Sequence, residues 1–191
     1  MKYSMIILAG GRSSRMGRDK SELMLGEDTF LEAQIRKGRM LGIQDILVSG
    51  YRGQRCPAPV VRDRLEGKGP LGGLESCLRR IAHEKALVLG VDTPLVPAGE
   101  LEKLLREAEE NGKEITILSH GGKEEPLIGV YGRGLADAMA EEVERRKGSV
   151  FAFIRRMGYG VYESGGGEEW FFNINRPEDY AHILERYLLS K

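Results

Sequence analysis

Six short aliphatic runs, at residues 3–8, 46–49, 60–61, 86–89, 115–118 and 127–131, alternate with stretches whose apolar residues recur at helical spacing. Runs this short, rich in Ile, Val and Leu and bounded by glycines or charges, read as strands. Between them, residues 29–41 predict a helix stopped by Gly42, residues 70–83 a helix opening on Pro70, and Leu101, Leu104, Leu105 and Ala108 mark one face of another. Residues 177–189 close the chain with a further helix behind Pro177. Such alternation predicts a three-layer, doubly wound α/β fold, Rossmann-like and built on a mostly parallel sheet. Folds of this kind place ligands beyond the carboxyl ends of their strands. Three stretches fall there: the loop after Leu8, Ser49 after Val48, and Asp92 after Leu89.

The first of these loops, Ala9-Gly10-Gly11-Arg12-Ser13-Ser14-Arg15-Met16-Gly17-Arg18-Asp19-Lys20, carries three glycines and four cationic side chains. On a chain whose formal net charge is zero, this concentrates positive charge beside backbone N–H groups that no Cβ shields. That combination suits a nucleoside triphosphate. The spacing excludes two common phosphate loops. Five residues separate Gly11 from Gly17 and the lysine follows three positions later, which breaks the P-loop pattern. The adjacent Gly10 and Gly11 break the dinucleotide pattern. Glycines and arginines alone fit a solvated surface turn equally well.

At 191 residues the chain fits one domain, 1–191, able to bury a sizeable core. A content of 41% hydrophobic and 30% charged residues excludes a disordered chain and a membrane-embedded one. No apolar run is long enough to span a bilayer, and Met1-Lys2 leads straight into a strand-like segment rather than a signal peptide. A cytoplasmic enzyme is therefore expected, with neither nucleic acid nor membrane as partner. Cys56 and Cys77 match no metal-ligand spacing or disulfide framework and read as reduced thiols. Gly165-Gly166-Gly167 reads as a turn before Trp170-Phe171-Phe172, with a catalytic lid as the other reading.

Taken whole, Leu8-Ala9-Gly10-Gly11-Arg12-Ser13-Ser14-Arg15-Met16-Gly17-Arg18-Asp19-Lys20 resembles the amino-terminal signature of nucleotidyltransferases, most closely the molybdenum cofactor guanylyltransferases. Further segments match in the same order: Arg62-Asp63, Gly69-Pro70-Leu71-Gly72-Gly73-Leu74, Val91-Asp92-Thr93-Pro94, Glu125-Pro126-Leu127 and Phe172-Asn173-Ile174-Asn175-Arg176-Pro177-Glu178-Asp179. The resemblance implies transfer of GMP from GTP to the terminal phosphate of molybdopterin carrying molybdenum, with release of pyrophosphate and with Mg²⁺ as cofactor. It also implies GTP and the molybdopterin cofactor as ligands, and molybdoenzyme maturation proteins as partners. Two other readings stay open. One is a cytidylyltransferase of the same fold acting on molybdopterin or a small phosphorylated metabolite; the other is a non-catalytic nucleotide-binding maturation partner.

Nucleotidyl transfer must neutralise crowded anions and align two substrates, so it needs cations and a metal more than a base. Asp92, a hard oxygen ligand at a strand end, suits a metal bridging the phosphates, or it caps the turn before Pro94. Lys20 can turn back towards the phosphates or stand solvated. The resemblance implies that Lys20 contacts GTP, that Arg15 meets the leaving pyrophosphate, and that Asp92 binds both nucleotide and metal. The nucleotide-binding set is then Leu8, Ala9, Gly10, Gly11, Lys20, Ser49, Asp63 and Asp92. Asp63 matches the guanine-binding aspartate, with a salt bridge to Arg62 or Arg64 as the rival reading. Ser49 stands where the family often carries Asn, and Arg176 where it carries Thr. Asn173 and Asn175 contact the acceptor, complete the metal site, or form a turn and cap the helix behind Pro177.

Overall fold

The chain is described by a computed structural model covering residues 2–10, 19–65, 67–145 and 149–189. In chain order its elements are β1 (Ser4–Leu8), β2 (Met24–Leu25), β3 (Asp28–Thr29), α1 (Phe30–Met40), β4 (Ile46–Ser49), β5 (Val60–Val61) and α2 (Gly69–Leu78). They continue with β6 (Lys85–Gly90), α3 (Ala98–Glu110), β7 (Ile115–His120), β8 (Lys123–Gly132), α4 (Ala136–Arg145), α5 (Val150–Met157), β9 (Gly160–Ser164) and α6 (Pro177–Leu189).

Seven strands form one sheet in the order β5-β4-β1-β6-β8-β7-β9, while β2 and β3 pair as a separate small hairpin. Within the large sheet β8 alone runs antiparallel to its neighbours. Side chains alternate across each strand, so β1 sends Met5 and Ile7 into one core and Ile6 and Leu8 into the other. The first core is closed by α1, α3 and α6 through Phe30, Leu31, Ile35, Leu101, Leu104 and Ile183. The second is closed by α2, α4 and α5 through Leu71, Leu74, Met139, Val143, Phe153 and Ile154. Burial on both faces is why the central strands β1 and β6 are largely apolar rather than alternating. The three-layer, doubly wound, mostly parallel architecture predicted from the sequence is the one observed.

Local chemistry sets the element ends. At the start of α1 the Thr29 hydroxyl accepts the Glu32 N–H at 3.2 Å, and the Glu32 carboxylate accepts the Thr29 N–H at 2.8 Å, a reciprocal capping box. Its end is a Schellman turn through Gly42 at φ +75°. There the Ile43 N–H reaches the Gly38 carbonyl at 2.9 Å and the Gly42 N–H the Arg39 carbonyl at 3.0 Å. The second helix, predicted over residues 70–83, stops at Leu78. The chain is pulled out of the helix because Asp45 accepts the Ala82 N–H at 2.7 Å and the Ser4 hydroxyl accepts the His83 N–H at 3.2 Å. Both contacts steer the chain into β6. The sequence reading passed over β9, an edge strand whose exposed and half-buried positions lack the apolar density of the central strands.

The chain runs from β1 outward to β4 and β5, then crosses back to place β6 on the other side of β1. The strand order therefore reverses at β1, where Leu8 sits in register with Ser49 on one side and Gly90 on the other. The crevice beyond this point is the ligand position of doubly wound folds. Its floor is tight. Gly50, at φ +77°, lies so close to Gly10 that a Cβ on it would fall onto the Gly10 backbone, and a Cβ on Gly10 would lie 3.0 Å from the Gly50 Cα. Gly50→Ala is expected to destabilise the fold by roughly 1–3 kcal/mol, through left-handed backbone strain and overpacking together. A lowered urea midpoint with unchanged m-value is the check; an unchanged midpoint contradicts this packing.

Candidate functional site

Sequence places Leu8 at the end of β1 and Gly90 at the end of β6, and strand pairing brings the two loops that follow them side by side. A cavity of about 250 Å³ opens there, lined among others by Ala9, Gly10, Lys20, Asp92, Leu127 and Asn175. Lys20 reaches it on a short helical turn that Asp19 caps, the Asp19 carboxylate accepting the Ser21 N–H at 3.0 Å and its hydroxyl at 2.7 Å. The Lys20 Nζ donates to the Asn175 Oδ1 at 2.7 Å and lies 3.8 Å from an Asp92 carboxylate oxygen. Asp92 is fastened from the opposite side as well, its carbonyl accepting the Ile174 N–H at 3.0 Å. Three residues distant in sequence thus meet at one point.

The electrostatics are those of an anion short of countercharge. Burial raises the Asp92 pKa above the ordinary carboxylate value, Lys20 opposes that shift, and the nearby Glu125 adds to it. A divalent cation would relieve the same imbalance. Among the described residues no group of three or more His, Cys, Asp or Glu stands ready to hold a metal by protein ligands alone. The Asp92 carboxylate and the Asn175 amide oxygen are hard donors that fit Mg²⁺, an ion that takes one or two protein oxygens and completes its shell with water and phosphate.

A second cavity, of about 420 Å³, shares Leu8, Gly10 and Pro70 with the first, so the two form one cleft. Ser49, Arg52 and Asp63 line it, together with glycines at the start of α2. The Ser49 hydroxyl donates to the Asp63 Oδ1 at 2.8 Å, which fixes the carboxylate. The rival pairing with Arg64 does not form. Arg64 is held by α2, its N–H donating to the Ser76 hydroxyl at 2.9 Å and its guanidinium lying 3.0 Å from the buried Glu75 carboxylate. The amino end of α2, where Lys68 makes no side-chain cap, opens onto this part of the cleft. Its helix dipole favours an anion there.

Of the residues singled out from the sequence, Leu8, Ala9, Gly10, Lys20, Ser49, Asp63, Asp92 and Asn175 line this cleft. Gly11 and Arg15 lie outside the described residues. Asn173 sits half-buried in the same segment as Asn175 but lines neither cavity. Capping of α6 falls to Asp179, which accepts the N–H groups of Asn175 and Arg176, each at 2.8 Å, and so leaves the Asn175 side chain to Lys20. The sequence reading missed Gln34 and Lys37 of α1, which bond to the loop carrying Asp92. A glutamine inside the apolar stripe of Leu31, Ile35 and Phe30 was the available signal, since a buried amide needs partners. Cys56 and Cys77 are free thiols.

The model of the MobA-like NTP transferase domain matches residues 5–158. The chain is 34% identical over 192 residues to the probable molybdenum cofactor guanylyltransferase of Carboxydothermus hydrogenoformans, covering 97% of this chain and 96% of that one. It is 35% identical over 188 residues to the protein of the same description from Pelotomaculum thermopropionicum, covering 91% and 88%. Its fold superposes with a TM-score of 0.82 on the molybdopterin-guanine dinucleotide biosynthesis protein A of Archaeoglobus fulgidus, at 24% identity and 98% coverage of both chains. By its residues, its fold and the cleft they build, the chain belongs to the MobA-like NTP transferase family.

Proposed function

We propose that this chain transfers GMP from GTP to the terminal phosphate of molybdopterin carrying molybdenum, forming the guanine dinucleotide cofactor and pyrophosphate. The observation that carries the reading is the convergence of Lys20, Asp92 and Asn175 at the β1–β6 crevice, with Asp63 further along the same cleft. Relatives described as molybdenum cofactor guanylyltransferases align along nearly the whole chain, which supports the choice of acceptor and of base.

In this reading the triphosphate lies over Ala9 and Gly10, with the Lys20 ammonium against its oxygens. Asp92 and Asn175 would hold Mg²⁺. A bound Mg²⁺ would supply positive charge against the phosphate charge that builds in the transition state. An acceptor phosphate oxygen attacks the α-phosphorus in line while pyrophosphate departs opposite, and in this reading Arg15 meets the leaving pyrophosphate. That acceptor oxygen is already ionised near neutral pH, so the cleft requires no general base. Asp63, fixed by Ser49, accepts the N1–H and N2 amino donors on the guanine edge.

Three outcomes follow. Asp92→Asn keeps the shape but removes the charge, so turnover should fall by about two decades, roughly 3 kcal/mol of barrier, with the fold intact. Undiminished activity at matched Mg²⁺ removes Asp92 from the mechanism. Lys20→Ala should weaken GTP binding about tenfold or more in titration calorimetry, because a charge-assisted contact in a half-buried cleft is lost; an unchanged affinity means the ammonium does not meet the phosphates. In a pyrophosphate-release assay with molybdopterin, GTP should exceed CTP by about three decades in kcat/KM, and Asp63→Ala should erode that preference mainly by harming GTP. A preference for CTP replaces the guanylyl reading with the cytidylyl one, and no release with any nucleotide favours the non-catalytic reading.

A further inference from the structure

We propose that Gln34 and Lys37 of α1 are positioning residues for Asp92: from a helix outside the cleft they set the course of the 90–94 loop and so hold the Asp92 carboxylate at its cation. This rests on the reading of Asp92 as a cation ligand.

Past Gly90, where β6 ends, the loop is still tied to the sheet by the Val91 N–H, which donates to the Leu8 carbonyl of β1 at 3.1 Å, but that bond leaves the loop's own carbonyls free for other donors. Its carbonyls are instead collected by one helix. The Gln34 Nε2 donates to the Gly90 carbonyl at 2.8 Å and to the Thr93 carbonyl at 3.1 Å. The Lys37 Nζ donates to the Pro94 carbonyl at 2.6 Å and to the Gln34 Oε1 at 3.0 Å, so the lysine also orients the amide. Three carbonyls flanking Asp92 on both sides are thereby tied to two side chains one helical turn apart. Gln34 is 0% exposed. A methionine would fill the same space with less desolvation. What a methionine lacks is the donors that bind the loop. On the far side, the Ile174 N–H on the Asp92 carbonyl completes the grip, leaving the carboxylate facing Lys20 and the cavity.

Burial drives the Lys37 pKa down to about 7. Ammonium and neutral amine each carry at least two N–H donors, so the brace holds in both states. Outer partners of this kind commonly govern metal affinity and turnover by 10–100-fold without touching the metal.

The test compares Lys37→Met, Lys37→Gln, Gln34→Met and Asp92→Asn. Mn²⁺ binding in the presence of GTP is read by electron paramagnetic resonance, beside kcat and the KM for GTP, with folding checked by circular dichroism. Lys37→Met should bind Mn²⁺ about tenfold more weakly and lose about tenfold in kcat, while the KM for GTP stays within about twofold. Lys37→Gln, which keeps a donor, should recover part of both losses. A purely structural role would move thermal stability and leave Mn²⁺ affinity and kcat alone. Folded Lys37→Met and Gln34→Met with both quantities near wild type, beside an Asp92→Asn that loses them, overturns the inference and spares the cation site. An Asp92→Asn that still binds Mn²⁺ overturns both. If Lys37→Met does not fold, Lys37→Gln and Gln34→Met decide by the same criterion.

Discussion

The double engagement of β1 governs this molecule. The strand is hydrogen-bonded along both edges, to β4 and to β6, and buried on both faces by helices from two layers. Because the chain first builds away from one edge and then returns to the other, the loops after β1 and β6 emerge together with nothing between them. Backbone pairing thus creates the crevice before any side chain enters it. The close approach of Gly10 and Gly50 extends the same constraint beyond the strand end, where two backbones touch and no side chain fits.

Charge is distributed unevenly within that crevice. Partial burial raises the Asp92 pKa above the ordinary carboxylate value, and the ammonium of Lys20 opposes that shift. At the other end Asp63 is steadied by a neutral hydroxyl, while the arginine next to it is drawn away to the buried Glu75. In the proposed reading one carboxylate serves a cation and the other a hydrogen-bond donor. Two acidic residues on one cleft acquire different chemistry from their neighbours, as environment commonly dictates.

Helices outside the cleft are not passive. Thr29 and Glu32 fix where α1 begins, and the Gly42 turn fixes where it ends. Between those limits Gln34 and Lys37 face the 90–94 loop. On the other side Asp179 closes the amino end of α6 and frees Asn175 to meet Lys20. The cleft is therefore held by helix termini and helix faces as much as by the strands.

Sequence by itself determined the layered α/β class, because a chain whose short strands are apolar on both sides must be covered on both sides. It also placed Leu8, Ser49 and Asp92 at or just past strand ends and Lys20 behind the glycine loop, which are local signals, whereas Asp63 was singled out by its match to the family motif. The start of α6 followed from Pro177, whose fixed φ suits a first helical position. What only the tertiary structure decided were the pairings across long distances in the chain: Lys20 with Asn175, Ser49 with Asp63, Arg64 with Glu75, Gln34 with Gly90. The early end of α2 belongs with them, because Asp45 and Ser4, not any local breaker, take up the amides that would have continued it. Each of these is a choice among donors and acceptors that the backbone brings together only after the sheet has closed, so no periodicity or spacing in the chain encodes it.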